Sequence, residues 1–324
     1  MSRKKHRKQP ENIPEIPDDS QSGALSEAEE AAAEHKLRAE KKRQIIDRNS
    51  RKYIITSTVV GSVLLYCGYY VFPNLFYLVF SNDTLQNNGT IKLLASTLGF
   101  FVYFFYLTRH YMRKRKKHPE AEEVNDILEI HPKLLEPKKA LQCAAAGFCL
   151  NLSLAALIAL LPLPDSLVHG YSSGSESLLY TDNLAFSIIY IWLFAPLCEE
   201  LMFRGFLLHK LKKAFPAKVV IWVVSAAFAL PHVNIMWIIV AFGCSLIFTA
   251  IREKHGNMLY SMILHSCYNL ASVPMLLLLN TEAYTVLFDN IAAELIYLVL
   301  GGITVYLCVN DLLFDGRNPF AKKN

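Results

Sequence analysis

The sequence predicts an all-α, polytopic membrane helical bundle of about eight transmembrane helices with both termini cytoplasmic, and three observations carry that prediction. Hydrophobic residues make up 53% and charged residues 19% of the 324-residue chain. Much of that charge lies in the first fifty residues and two short loops, which leaves a remainder too apolar for a water-facing surface. Apolar runs recur at the length of roughly twenty residues that a bilayer-spanning helix needs, and basic and non-basic loops alternate between them.

Residues 1–50 are polar, with early prolines, and Ser26–Arg48 is rich in Glu, Ala, Lys and Arg, which suits a solvated helix. No apolar stripe runs along it, so no packed core follows. Nor does an apolar stretch follow the basic start within about thirty residues, as a signal peptide requires. The segment reads as a charged, partly disordered cytoplasmic tail, and Arg48, Arg51 and Lys52 form a basic patch that favours anionic lipid.

The candidate spans are 53–80, 91–108, 139–162, 183–208, 217–234, 236–251, 257–279 and 288–311. The fifth and sixth are short and nearly continuous, with Pro231 and Asn234 marking the break, since a proline removes a helix hydrogen bond. Loops 109–118, 209–218 and 252–254 are basic, as is the tail from Arg317 to Lys323, whereas 81–90, 163–182 and 280–289 contain no Lys or Arg. Eight spans with both termini inside give this alternation under the positive-inside rule; Lys92, at a helix end, can snorkel. The expected organisation is therefore a tail over 1–50, a membrane domain over 51–312 and a short basic cytoplasmic tail over 313–324.

The net charge of +5 falls beside apolar spans, where it sets topology, and does not call for a nucleic-acid partner. The seven cysteines show no CxxC pair and lie in apolar segments, where Cys acts as a small hydrophobe.

Ionisable groups inside a membrane are costly and usually face a protein interior or a water pocket. Of the ten histidines, only His232 and His265 fall within apolar runs; Glu199, Glu200, Arg204, Asn269 and Glu294 are the other polar insertions. Arg204 lies one turn beyond Glu200, so the two form a structural ion pair on one face. Glu199 points about a hundred degrees away from Glu200, is expected to stay unpaired, and as a desolvated carboxylate is a good proton acceptor. His265 and Asn269, at i and i+4, face the same neighbour. Together these residues offer a base, two imidazoles and an amide donor, the parts that activate water and stabilise an oxyanion. Counted from the cytoplasmic ends of their helices, Glu199 and His265 lie roughly 12 to 14 Å deep and His232 roughly 22 Å, so His232 is not level with the others.

Glu199-Glu200-x-x-x-Arg204, Phe228-x-x-x-His232 and His265-x-x-x-Asn269 stand complete and in order. In these motifs the chain resembles the CAAX protease and bacteriocin-processing (Abi, CPBP) family of intramembrane endopeptidases, over roughly residues 140–280. The resemblance implies hydrolysis of peptide bonds in membrane-associated or lipid-modified proteins or peptides. Glu199 with His232 would activate the attacking water, and His265 and Asn269 would hold the oxyanion. It also implies an integral, multi-pass location, in the plasma membrane if the source is prokaryotic, with membrane lipids and a membrane-tethered substrate as partners. A metal-free, glutamate-type mechanism is expected, with no cofactor. Zinc on Glu199, His232 and His265 is the alternative, against which stands the absence of a His-Glu-x-x-His motif. Two readings from other classes stay open: a non-catalytic immunity or scaffold protein that keeps the motif as packing, and a proton-coupled transporter, although the two halves share no visible repeat.

Overall fold

A computed structural model of the chain describes residues 19–80, 89–118, 122–164, 166–167, 183–232, 234–278 and 281–316. The early prolines, most of the non-basic loops at 81–90 and 163–182, and the basic tail from Arg317 lie outside the described residues. The chain divides into two compact units, Met1–Thr56 and Ser57–Asn324. In the first, the described residues are helical throughout and belong to α1 (Asp19–Phe80), which includes the stretch expected to form a solvated helix.

The second unit is built of helices alone among the described residues. After α1 come α2 (Gly89–Lys117), the short α3 (Val124–Leu128), α4 (Pro137–Leu160) and α5 (Leu184–Lys212). Then follow α6 (Ala217–Ala229), continued by a 3-10 turn at Leu230–His232, α7 (Ile235–His255), α8 (Met258–Leu270), α9 (Ser272–Leu278), α10 (Glu282–Phe288) and α11 (Ile291–Phe314). Seven stretches among them are long and apolar enough to cross a membrane: Ser50–Leu75, α2, α4, α5, α7, Met258–Leu278 and α11.

The fifth expected span, 217–234, is shorter than a full crossing. Ala217–His232 is apolar but extends only roughly 24 Å at 1.5 Å per residue, against a hydrocarbon core of about 30 Å. It stops where the sequence places the break. Pro231 sits in the 3-10 turn, and Asn234 Oδ1 accepts from Met236 N and Trp237 N to cap α7. A second break falls at Ala271, because Pro274 tolerates only the first turn of a new helix. The expected loop 280–289 contains α10, capped by Thr281.

Close approach holds the centre together. A Cβ built on Gly147 of α4 would lie 2.1 Å from the Leu264 carbonyl oxygen of α8, so only glycine admits this contact, as small residues do elsewhere between membrane helices. An aromatic cluster joins α1, α5 and α6: the Phe203 ring meets those of Tyr66, Tyr69 and Phe228 at 6.3, 5.6 and 5.3 Å. At the basic end, the segment after α3 straps the start of α8. Met258 N donates to Glu129 O at 3.0 Å, and His131 and Asn257 exchange two hydrogen bonds of 3.3 and 3.0 Å. The buried Arg252 pairs with Glu129 at 2.9 Å beside them.

Candidate active site

Glu199 and Glu200 ride on one α-helical turn of α5, Ala195–Glu200, between two π-helical stretches, Tyr190–Phe194 and Leu201–Leu207. The first has a covalent cause. Ala195 N already bonds to Tyr190 O, five residues back, and the next such bond would need an N–H from Pro196, which has none. The Ile191 carbonyl accepts instead from Asn269 Nδ2 at 2.9 Å. One motif residue thus fastens α8 to α5 and spends one of its two amide N–H bonds doing so. Motif spacing alone passes over Pro196, whose signal in the sequence is a proline three residues ahead of a membrane-embedded glutamate.

Glu200 and Arg204 pair as helix register predicts, with Nη1 donating to Oε1 at 2.9 Å and both residues fully buried. Arg204 also donates to Ser245 Oγ at 2.6 Å and Thr249 Oγ1 at 3.3 Å on α7. Its guanidinium lies 4.4 Å from the Phe228 ring centre and 5.6 Å from that of Phe248. This cation therefore ties α5, α6 and α7 together, with its desolvation offset by hydrogen bonds on three sides.

Glu200 does more than neutralise Arg204. The same Oε1 atom accepts from His265 Nδ1 at 2.9 Å. With Nδ1 a donor, the opposite nitrogen of His265 is fixed in direction, and Nε2 lies 3.6 Å from Glu199 Oε2. Glu199, expected to be unpaired, has His265 as an ionic neighbour. At that separation the two are not hydrogen-bonded.

His232 closes the 3-10 turn. Its Nδ1 faces the Ala229 carbonyl at 3.1 Å, which can only accept, so Nδ1 is the donor of this bond. The ring is stacked on Trp237, with centroids 6.1 Å apart, and tilted against Phe228 at 5.4 Å. Phe228 also packs edge-on to His265 at 5.7 Å, so it sits between the two imidazoles.

Glu199, His232, His265 and Asn269 all line one cavity of about 510 Å³. Tyr190, Trp237 and Glu294 line it as well, and Leu152, Ala155 and Ala159 supply an apolar wall from α4. The depth mismatch of His232 has a physical source. α5 runs on to Lys212, four residues past its expected end, which puts Glu199 roughly 19 Å from that end. The start of α8 lies buried under the strap at Asn257 and Met258, so depth counted from it comes out too small. Among the described residues, no three His, Cys, Asp or Glu side chains come together as a metal-ligand set.

Residues 181–271 match the family model of the type II CAAX prenyl endopeptidases, Rce1-like. Over this segment the chain is similar to the CAAX protease family. The matched segment contains α5 to α8 and with them every motif residue named above, whereas α4, α9, α10 and α11, which also line the cavity, lie outside it. No curated protein and no solved structure matches the chain. With seven membrane-length helices among the described residues, the chain is an integral, multi-pass membrane protein.

Proposed function

We propose that the chain is a metal-free intramembrane endopeptidase acting on membrane-associated or lipid-modified peptides. The observation that carries this reading is the 2.9 Å bond from His265 Nδ1 to Glu200 Oε1. It holds Nε2 in the cavity beside Glu199, as an orienting carboxylate does in other hydrolytic sites. A water between Glu199 and His232 gives up a proton to that pair and attacks the peptide carbonyl carbon. The oxyanion that forms accepts hydrogen bonds from a protonated His265 Nε2 and from the second amide N–H of Asn269. The carbon–nitrogen bond then breaks, and the proton taken from water passes to the leaving amine. Glu200 and Arg204 stay outside the proton path and act through position.

The apolar wall from α4 suits a lipid-modified peptide, and the pattern of basic loops favours both termini on the cytoplasmic side, with the plasma membrane as the location if the source is prokaryotic. In this reading 51–312 form the protease domain, between a charged tail over 1–50 and a basic tail over 313–324. The test uses the full chain in proteoliposomes with a membrane-tethered, internally quenched peptide. Glu199→Gln is expected to lower cleavage roughly 10²–10⁴-fold with unchanged melting, and His265→Ala to do likewise. Cleavage by either variant at the native rate would sink the mechanism. Exhaustive chelation should leave activity intact; loss that added zinc restores would overturn the metal-free assignment.

A further inference from the structure

A second recess lies away from the catalytic cavity and shares no lining residue with it. It has a volume of about 390 Å³ and runs between α1, the basic end of α5 and the outer face of α6. Val59 and Val63 of α1, Leu207 and Leu211 of α5, and Val219 and Val223 of α6 supply its walls. On α6, Val219, Val223, Ala227 and Leu230 recur at helical spacing toward this recess, while Phe228 and His232 line the catalytic cavity.

Two polar features interrupt the apolar walls. The Ser62 hydroxyl lines the recess, is 7% exposed and has no hydrogen-bond partner. A buried unsatisfied hydroxyl is costly, which points to an acceptor that arrives with a ligand. Next to it, Lys210 lays its side chain across α1: a Cβ on Gly61 would meet Lys210 Cε at 2.6 Å and Nζ at 3.0 Å. Lys114 and Lys213 lie within electrostatic range of Lys210, and so does Glu122, which Lys213 and His209 already engage. The surroundings of Lys210, beside Gly61 and the recess, are therefore net positive.

We propose that this recess is a binding site for one anionic phospholipid. An acyl chain fills the apolar walls, an ester or glycerol oxygen accepts from Ser62, and the phosphate is met by Lys210 and Lys114. Charge complementarity selects the headgroup, since each lysine near a membrane surface attracts anionic lipid, and the unpartnered hydroxyl sets the depth of the polar–apolar boundary. The bound lipid braces the outer face of α6, a helix too short for a full crossing.

The experiment uses the full chain purified in detergent, titrated with dioleoylphosphatidylglycerol or dioleoylphosphatidylcholine and read by native mass spectrometry and melting. One phosphatidylglycerol is expected to stay bound and raise the melting temperature, with phosphatidylcholine retained far less. Lys210→Gln and Lys114→Gln should each weaken retention roughly fivefold. Val223→Trp, at a half-exposed position, should block retention while the protein still melts cooperatively. Equal retention of the two lipids would overturn the proposal, as would phosphatidylglycerol held unchanged by Val223→Trp or displaced stoichiometrically by a farnesylated peptide. None of these readouts depends on peptidase activity.

Discussion

His265 Nδ1 donates to the same Glu200 oxygen that Arg204 engages, at 2.9 Å in both cases. One carboxylate atom therefore couples the orientation of an imidazole to the neutralisation of a buried guanidinium. Glu200→Gln keeps the shape and removes the charge, leaving Arg204 uncompensated in the core. The expected cost is about 3–5 kcal/mol in detergent melting, the range for breaking a buried pair from one side. Glu200→Gln combined with Arg204→Met should recover much of that stability. It should not recover cleavage, because His265 has still lost its charged anchor. Recovery of both together would show that Glu200 matters for packing only.

The Asn269–Ile191 bond makes a separate claim about Pro196. Asn269→Leu strands the Ile191 carbonyl, at an expected cost of about 1–3 kcal/mol. Pro196→Ala supplies the missing N–H and gives that carbonyl a partner within α5. In a Pro196→Ala background Asn269→Leu should therefore cost distinctly less. The measurement is a double-mutant cycle on melting free energies, and additive costs would contradict the coupling.

Much of this was legible in the sequence because a bilayer restricts what polar residues can do. Glu200 and Arg204 at i and i+4 in an apolar run had few partners but each other, and the pair forms. The break at Pro231 and Asn234 followed from the lost N–H and the cap. The approach of His265 to Glu200, and with it to Glu199, was not legible, because it depends on how α5 and α8 face each other, and Glu200 and His265 are 65 residues apart. Nor was the level of His232, since the strap that buries the start of α8 hides where that helix begins. The π turn was only half visible: Pro196 could be read, but its bond to Asn269 needs the fold.

At the basic end, Glu122 links α5 to the segment before α3. Partial burial pushes its pKa up, but the hydrogen bond from Lys213 and the nearby His209 outweigh this and hold the carboxyl below its ordinary range. A depressed carboxyl stabilises the fold above the unfolded-state pKa, and that stabilisation disappears as pH falls through the folded value. Glu122 is substantially exposed, so solvent screening limits the effect to under about 1 kcal/mol. Melting of wild type should drop more than that of Glu122→Gln when pH is lowered through the carboxylate range. Parallel curves would remove Glu122 from the account.

The contact between Gly147 and Leu264 bears most directly on the site, because Leu264 precedes His265 in α8. A Cβ at position 147 would stand 2.1 Å from a backbone oxygen, which no rotamer change relieves. Gly147→Ala must push α8 away from α4, and that shift carries His265 relative to Glu199 on α5. Overpacking of this kind costs about 1–3 kcal/mol, so the variant should fold, with a lower melting temperature. Cleavage should fall much further than stability, since the 3.6 Å separation of His265 Nε2 from Glu199 Oε2 leaves little tolerance in a site that works by position. Gly302→Ala is the control: nothing stands within 4 Å of a Cβ there, and it should leave cleavage unchanged. A Gly147→Ala protein that melts lower but cleaves at the native rate would show that the α4–α8 contact holds the bundle together without setting the geometry of the site.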